Sequence, residues 1–248
     1  MRRVVLWCGA YVNRRETHRW DDRRRRHMDG DRDWDDLSRC RRDLERAALA
    51  AKVWGAAEIV LFAPDDAVLP HEMGLVRLQP QEELEAYLRG LAERGRPEDR
   101  LLFVATNHGI SAGMARSPAQ VDLFAPWSPP PAPLSPQDLG ALLDAIPGTQ
   151  MLALACCYAG IFLPLASSRR GVLTACGAGE VYYIERTEDA HAPLFRVLFS
   201  SWLGVSLPGE LAAPGSGPLS TAILHACDAS DCQDPRFKPQ QRGTLEGW

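Results

Sequence analysis

The chain has 248 residues, 46% hydrophobic and 24% charged, with a formal net charge of -4. This is the make-up of a soluble globular protein with room for a sizeable core, and its weakly acidic balance gives no case for a nucleic-acid or membrane partner. No apolar stretch reaches the roughly 18 residues of a membrane span, and the run of about five apolar residues after Arg3 is too short for a signal-peptide core.

Taken in order, Arg3 to Cys8 reads as a first strand. Gly9 to Asp35 is dense in Arg and Asp and can hardly build a core, so it is expected to be a charged surface loop. Leu37 to Trp54 carries apolar residues at helical spacing (Leu37, Leu44, Ala47, Ala48, Ala51), with Asp36 or Ser38 placed as cap and Gly55 as stop. Glu58 to Ala63 is a second strand, closed by Pro64 and two aspartates. Val76 to Leu78 is a short extended piece, and Pro80 to Glu93 reads as a helix with proline near its first position. Arg100 to Thr106 is the third strand.

The segment 109–136 contains Val121 to Phe124 and the prolines between 129 and 133, and reads as a flap or hairpin. Ser135 caps a helix to Ala145. Gln150 to Ala155 and Gly171 to Ala175 are the fourth and fifth strands. His191 to Leu203 and Leu219 to Ala226 are helices, and 228–248 is a polar tail expected to be irregular. Strands alternating with helices predict one α/β domain: a mostly parallel central sheet with helices on both faces. Right-handed crossovers collect the strand carboxyl ends on one edge, where such sheets place their ligands.

Two features of that edge carry chemistry. The apolar run MLALACCYAG ends at Cys156 and Cys157, and the run before it ends at Asn107-His108-Gly109. A cysteine and a histidine at the ends of neighbouring strands meet the requirement for a thiol nucleophile with a base. Adjacent strand residues point to opposite faces, so one cysteine should be buried while the other faces a cleft. Gly109 has no side chain, so a carbonyl could approach its N–H as an oxyanion donor. Seven cysteines, partly inside apolar runs, suit a reduced compartment better than a disulfide framework, and a cytoplasmic protein is expected. Cys227 and Cys232 lack the second close pair a structural zinc needs, and the acidic stretch 21–36 lacks the register of a calcium loop. No phosphate loop or dinucleotide fingerprint is present, and no cofactor or metal is implied.

His-Gly after one strand and Ala-Cys-Cys-Tyr-Ala-Gly after the next resembles the caspase-like cysteine peptidases, closest to their legumain and metacaspase branch. Asn13-Arg14, IVLFAPDDAV and GVLTACGAGEVYY are similar to further legumain segments, in the same order, so the resemblance spans roughly residues 3 to 245. It implies a caspase-like three-layer sandwich acting as a cysteine endopeptidase on a protein or peptide substrate. Spacing to Gly160 selects Cys157 as nucleophile, with His108 as general acid and base and the N–H groups of Gly109 and Cys157 as oxyanion donors. The resemblance places Arg14 or Arg15, Ala155 and Cys176 around the substrate pocket. A guanidinium there, with no carboxylate at Ala155, favours Asp or Asn at P1. Three alternatives stand beside this: a catalytically silent caspase-like domain that binds a protein partner, a legumain-like transpeptidase, and an unrelated doubly wound protein whose Cys-Cys pair is core. Oligomeric state is not legible.

Overall fold

The apolar runs pack side by side because each is too apolar to leave either face in water. In the computed structural model, the described residues are 1–8, 36–63, 77–80, 83–106, 108–109, 123–124, 134–180, 193–207, 218–219, 221–223 and 236–237. Strands β1 (Arg2–Cys8), β2 (Glu58–Ala63), β3 (Arg77–Pro80), β4 (Arg100–Thr106), β7 (Thr149–Ala155) and β8 (Arg170–Thr174) are mutually parallel. The order across the sheet is β3-β2-β1-β4-β7-β8-β9, with β9 (Arg236–Phe237) antiparallel to β8. Every residue of β4 and β7 after the first is buried, as a sheet covered on both sides requires.

Helices cover the two faces as separate layers. Helix α1 (Asp36–Val53) packs on α4 (Pro193–Leu203), and α2 (Leu84–Arg94) on α3 (Pro136–Ala145). On the first face the Trp54 and Trp202 rings lie 5.8 Å apart in a tilted contact. The connection from β1 runs one way along the sheet to β2, and the connection from β4 runs the other way to β7. The crevice between β1 and β4 is therefore the switch point of the sheet, where doubly wound proteins bind ligands. Cys8 and Thr106, the last residues of β1 and β4, stand on its two sides.

The elements follow the sequence expectations closely, with two corrections. Pro80 does not open a helix. It ends β3, paired with Ala63, and α2 begins at Leu84. An edge strand can end in proline because an outward N–H is not needed there. The tail is not wholly irregular either: Arg236 and Phe237 pair with Thr174 and Leu173. Ser135 caps α3 as expected, its Oγ accepting the Asp138 N–H at 3.1 Å. The charged loop 9–35, most of the flap and most of the tail lie outside the described residues.

Candidate active site at the carboxyl edge of the sheet

Register fixes the relation of the two sequence motifs. Thr106, the last residue of β4, stands opposite Ala155, the last residue of β7. His108 and Cys157 each follow two residues later in the chain. His108 and Gly109 form β5, paired antiparallel with β6 (Leu123–Phe124), which makes the start of the flap a hairpin. The His108 side chain, Asn107, Arg14 and Arg15 lie outside the described residues.

The two adjacent cysteines have different surroundings. Cys156 is 1% exposed, and burial, with Cys176 and Cys157 nearby, raises its thiol pKa well above the ordinary value. Cys157 is half-buried. The chain leaves the strand at this point: Tyr158 takes a left-handed conformation (φ 59°, ψ 17°), and residues Ala159–Leu165 form a 3-10 helix. A non-glycine residue in that region is uncommon and marks a turn held by its surroundings. The holding contact is visible, because the Tyr158 N–H donates to the Glu180 carbonyl at 2.7 Å.

Glu180 belongs to the turn after β8, which lies directly against the cysteine turn. A Cβ added at Gly160 would sit 2.4 Å from the Ala178 nitrogen and 2.5 Å from the Gly177 carbonyl carbon. Only glycine lets these two backbones approach so closely. One Glu180 carboxylate oxygen accepts the Gly177 N–H at 2.6 Å, folding the turn onto itself. The Cys176 sulfur sits 3.2 Å from the Cys156 carbonyl oxygen and 3.4 Å from that of Glu180. Burial raises the Cys176 pKa to about 11, although the Ala159 and Tyr158 amides draw it down. Ala155 and Cys176, expected around the substrate pocket, are both buried.

One residue beneath the site escaped the sequence analysis. Asp43, on α1, is fully buried, and its carboxylate accepts the Thr106 hydroxyl at 3.4 Å, two residues before His108. It shares a helix face with Leu44, Ala47 and Ala51, so the helical period placed it inward.

No family model and no curated protein matches this chain. Among solved structures it is similar to a structural-genomics target from Geobacter sulfurreducens, with 11% identity and a TM-score of 0.51, over 96% of this chain and 93% of that one. At that identity the likeness shows a shared α/β fold.

Proposed function

We propose that this protein is a cysteine endopeptidase in which Cys157 is the nucleophile and His108 the general acid and base. The observation that carries the reading is the register of β4 on β7, Thr106 opposite Ala155, the paired strand ends that His108 and Cys157 each follow by two residues. The half-buried state of Cys157 beside a buried Cys156 supports the choice of nucleophile, since a reactive thiol needs access. In this mechanism Cys157 attacks the peptide carbonyl and forms an acyl-enzyme. His108 protonates the leaving amine, then takes a proton from the water that hydrolyses the acyl group. The N–H groups of Gly109 and Cys157 receive the oxyanion.

For specificity, Arg14 or Arg15 in the loop after β1 would flank the switch-point crevice and select Asp or Asn at P1. Glu180, an acid close to Cys157 in the fold, has a carboxylate oxygen turned onto Gly177, which favours that sign of pocket. A cytoplasmic compartment fits the cysteine usage.

The test is labelling by a peptidyl acyloxymethyl ketone carrying Asp or Asn at P1. The expected result is one thioether adduct at Cys157, retained in Cys156→Ala, lost in Cys157→Ala and strongly slowed in His108→Ala. An adduct that survives in Cys157→Ala would transfer the nucleophile to another residue. Folded protein that neither labels nor cleaves a peptide library would sink the reading. Ligated rather than hydrolysed products would redirect it to transpeptidation.

A further inference from the structure

Cys157 sits between two peptide groups, and the turn at 176–180 after β8 grips both of them. On the amino side, the Cys156 carbonyl oxygen accepts from the Cys176 thiol at 3.2 Å. Among the described residues no peptide bond is cis. In a trans peptide the N–H points opposite to the carbonyl, so the Cys157 N–H is directed away from Cys176. On the carboxyl side, the Tyr158 N–H donates to the Glu180 carbonyl at 2.7 Å. The Cys176 sulfur lies 3.4 Å from that same Glu180 carbonyl, which ties the two grips together. They act where Tyr158 is left-handed (φ 59°), a conformation that a non-glycine residue keeps only when its surroundings impose it.

Glu180 closes this turn in two ways. Its N–H donates to the Gly177 carbonyl at 3.3 Å, and its carboxylate accepts the Gly177 N–H at 2.6 Å. Both the N–H and the carbonyl of Gly177 are thus bonded to one residue. A Cβ at Gly177 would lie 2.9 Å from the same carboxylate oxygen, so the side chain is folded directly over the turn. The backbone bond is long, whereas the carboxylate bond is short and charge-assisted, which makes it the stronger closure. The Glu180 side chain is half-buried, where such a bond gains strength over the same bond in open water.

We infer that Glu180 is a positioning residue for Cys157: its carboxylate holds the 176–180 turn, and that turn fixes the peptides on both sides of the cysteine. The inference rests on the proposed hydrolysis for its catalytic meaning. It assigns the effect of Glu180 to hydrogen bonding and not to charge. What position 180 must supply is an acceptor for the Gly177 N–H, so an amide side chain suffices and a methyl group does not. In the acyl-transfer scheme, a fixed turn keeps the Cys157 thiol and the Cys157 N–H in one geometry, so that attack and oxyanion binding fall on the same carbonyl. Loosening the turn slows the bond-forming step and leaves substrate affinity in place.

The experiment compares the full chain with its Glu180→Gln and Glu180→Ala variants, each shown to be folded by circular dichroism. Glu180→Met, which keeps the length without an acceptor, takes the place of the alanine variant if that one does not fold. The first readout is hydrogen exchange of the Tyr158 amide, followed by NMR. Exchange should be about tenfold faster in Glu180→Ala and within about twofold of wild type in Glu180→Gln, with the β4 and β7 amides unchanged in both. The second is inactivation by the Asp or Asn ketone, separated into a maximal rate and a half-saturating concentration. The maximal rate should fall about tenfold in Glu180→Ala and stay within about twofold in Glu180→Gln, at unchanged half-saturation. Equal slowing by the two variants would assign the effect to charge and overturn the inference. So would unchanged Tyr158 exchange in Glu180→Ala, or a raised half-saturation at an unchanged maximal rate, which would make Glu180 a substrate contact. A wild type that ignores the ketone sinks the hydrolase reading, while the exchange comparison still decides whether Glu180 holds the turn.

Discussion

The two edges of the central sheet handle buried polarity in opposite ways. At the amino edge, buried charged groups are held in ion pairs and hydrogen bonds. Asp99 accepts the amino-terminal ammonium at 2.6 Å, Arg3 at 2.5 Å and the Arg96 N–H at 3.0 Å. The fully buried Arg170 is held by Gln150 at 2.7 Å, Asp144 at 2.6 Å and the Leu165 carbonyl at 3.1 Å. Gln150 in turn closes the end of α3 through the carbonyls of Leu143 and Ile146. At the carboxyl edge the groups are thiols, carbonyls and close-packed glycines, and the chain is turned sharply at Tyr158. Ion pairs lock the first edge. The second is held by backbone contacts and leaves a half-buried thiol, Cys157, beside the buried Cys156.

The contrast breaks most visibly at Cys157. Cys157→Ala should abolish ketone labelling and peptide cleavage while shifting stability by less than about 1 kcal/mol, because a half-buried thiol contributes little packing. Thermal melts beside labelling gels check both halves. Asp99→Ala should do the reverse: a loss of about 3 kcal/mol in denaturant unfolding, from stranding Arg3 without its carboxylate, with labelling of the folded protein retained.

The pH dependence sharpens the same point. Burial pushes the Asp99 pKa up, but its hydrogen bonds to the amino terminus, Arg3 and Arg96 prevail and hold it at about 2, below the ordinary 3.8. A depressed carboxylate stabilises the fold fully above its unfolded pKa and loses that contribution as pH falls through the folded value. Melting temperatures of wild type and Asp99→Asn should therefore differ at pH 5 and converge as pH falls from 3.8 toward about 2. A constant gap would mean that Asp99 acts by packing alone.

Smaller effects belong to the carboxyl edge. Gly160→Ala should cost about 1–3 kcal/mol, since the new methyl must push apart two backbones. Labelling should slow with it, because the same contact sets the Cys157 turn. Thr106→Val should cost about 1 kcal/mol by removing the hydroxyl from the buried Asp43 carboxylate, with a modest effect on labelling. A Thr106→Val variant that labels far more slowly at unchanged stability would show that Asp43 positions the turn carrying His108.

Most of the fold was legible because its central strands are buried on both faces. β1, β2, β4, β7 and β8 are uninterrupted apolar runs with turn residues around them, and their observed limits lie within a residue of those expected. What escaped depends on distant partners. Proline after an extended piece looks like a helix start until β2 is seen pairing with Pro80. Two residues of a polar tail become a strand only because β8 offers an edge. Asp43 is marked as a buried acid only once α1 is laid on the sheet beside Thr106.

By itself, the sequence determined the alternation of strand and helix, the single carboxyl edge, and the two motifs that end neighbouring strands. Those properties are local: apolar runs, caps and breakers act over a few residues. Only the tertiary structure decided that Thr106 stands level with Ala155, and that the Cys176 sulfur lies 3.2 Å from the Cys156 carbonyl oxygen. Register, burial and the approach of two turns are relations between segments far apart in the chain. They are set by packing, which the order of residues alone does not display.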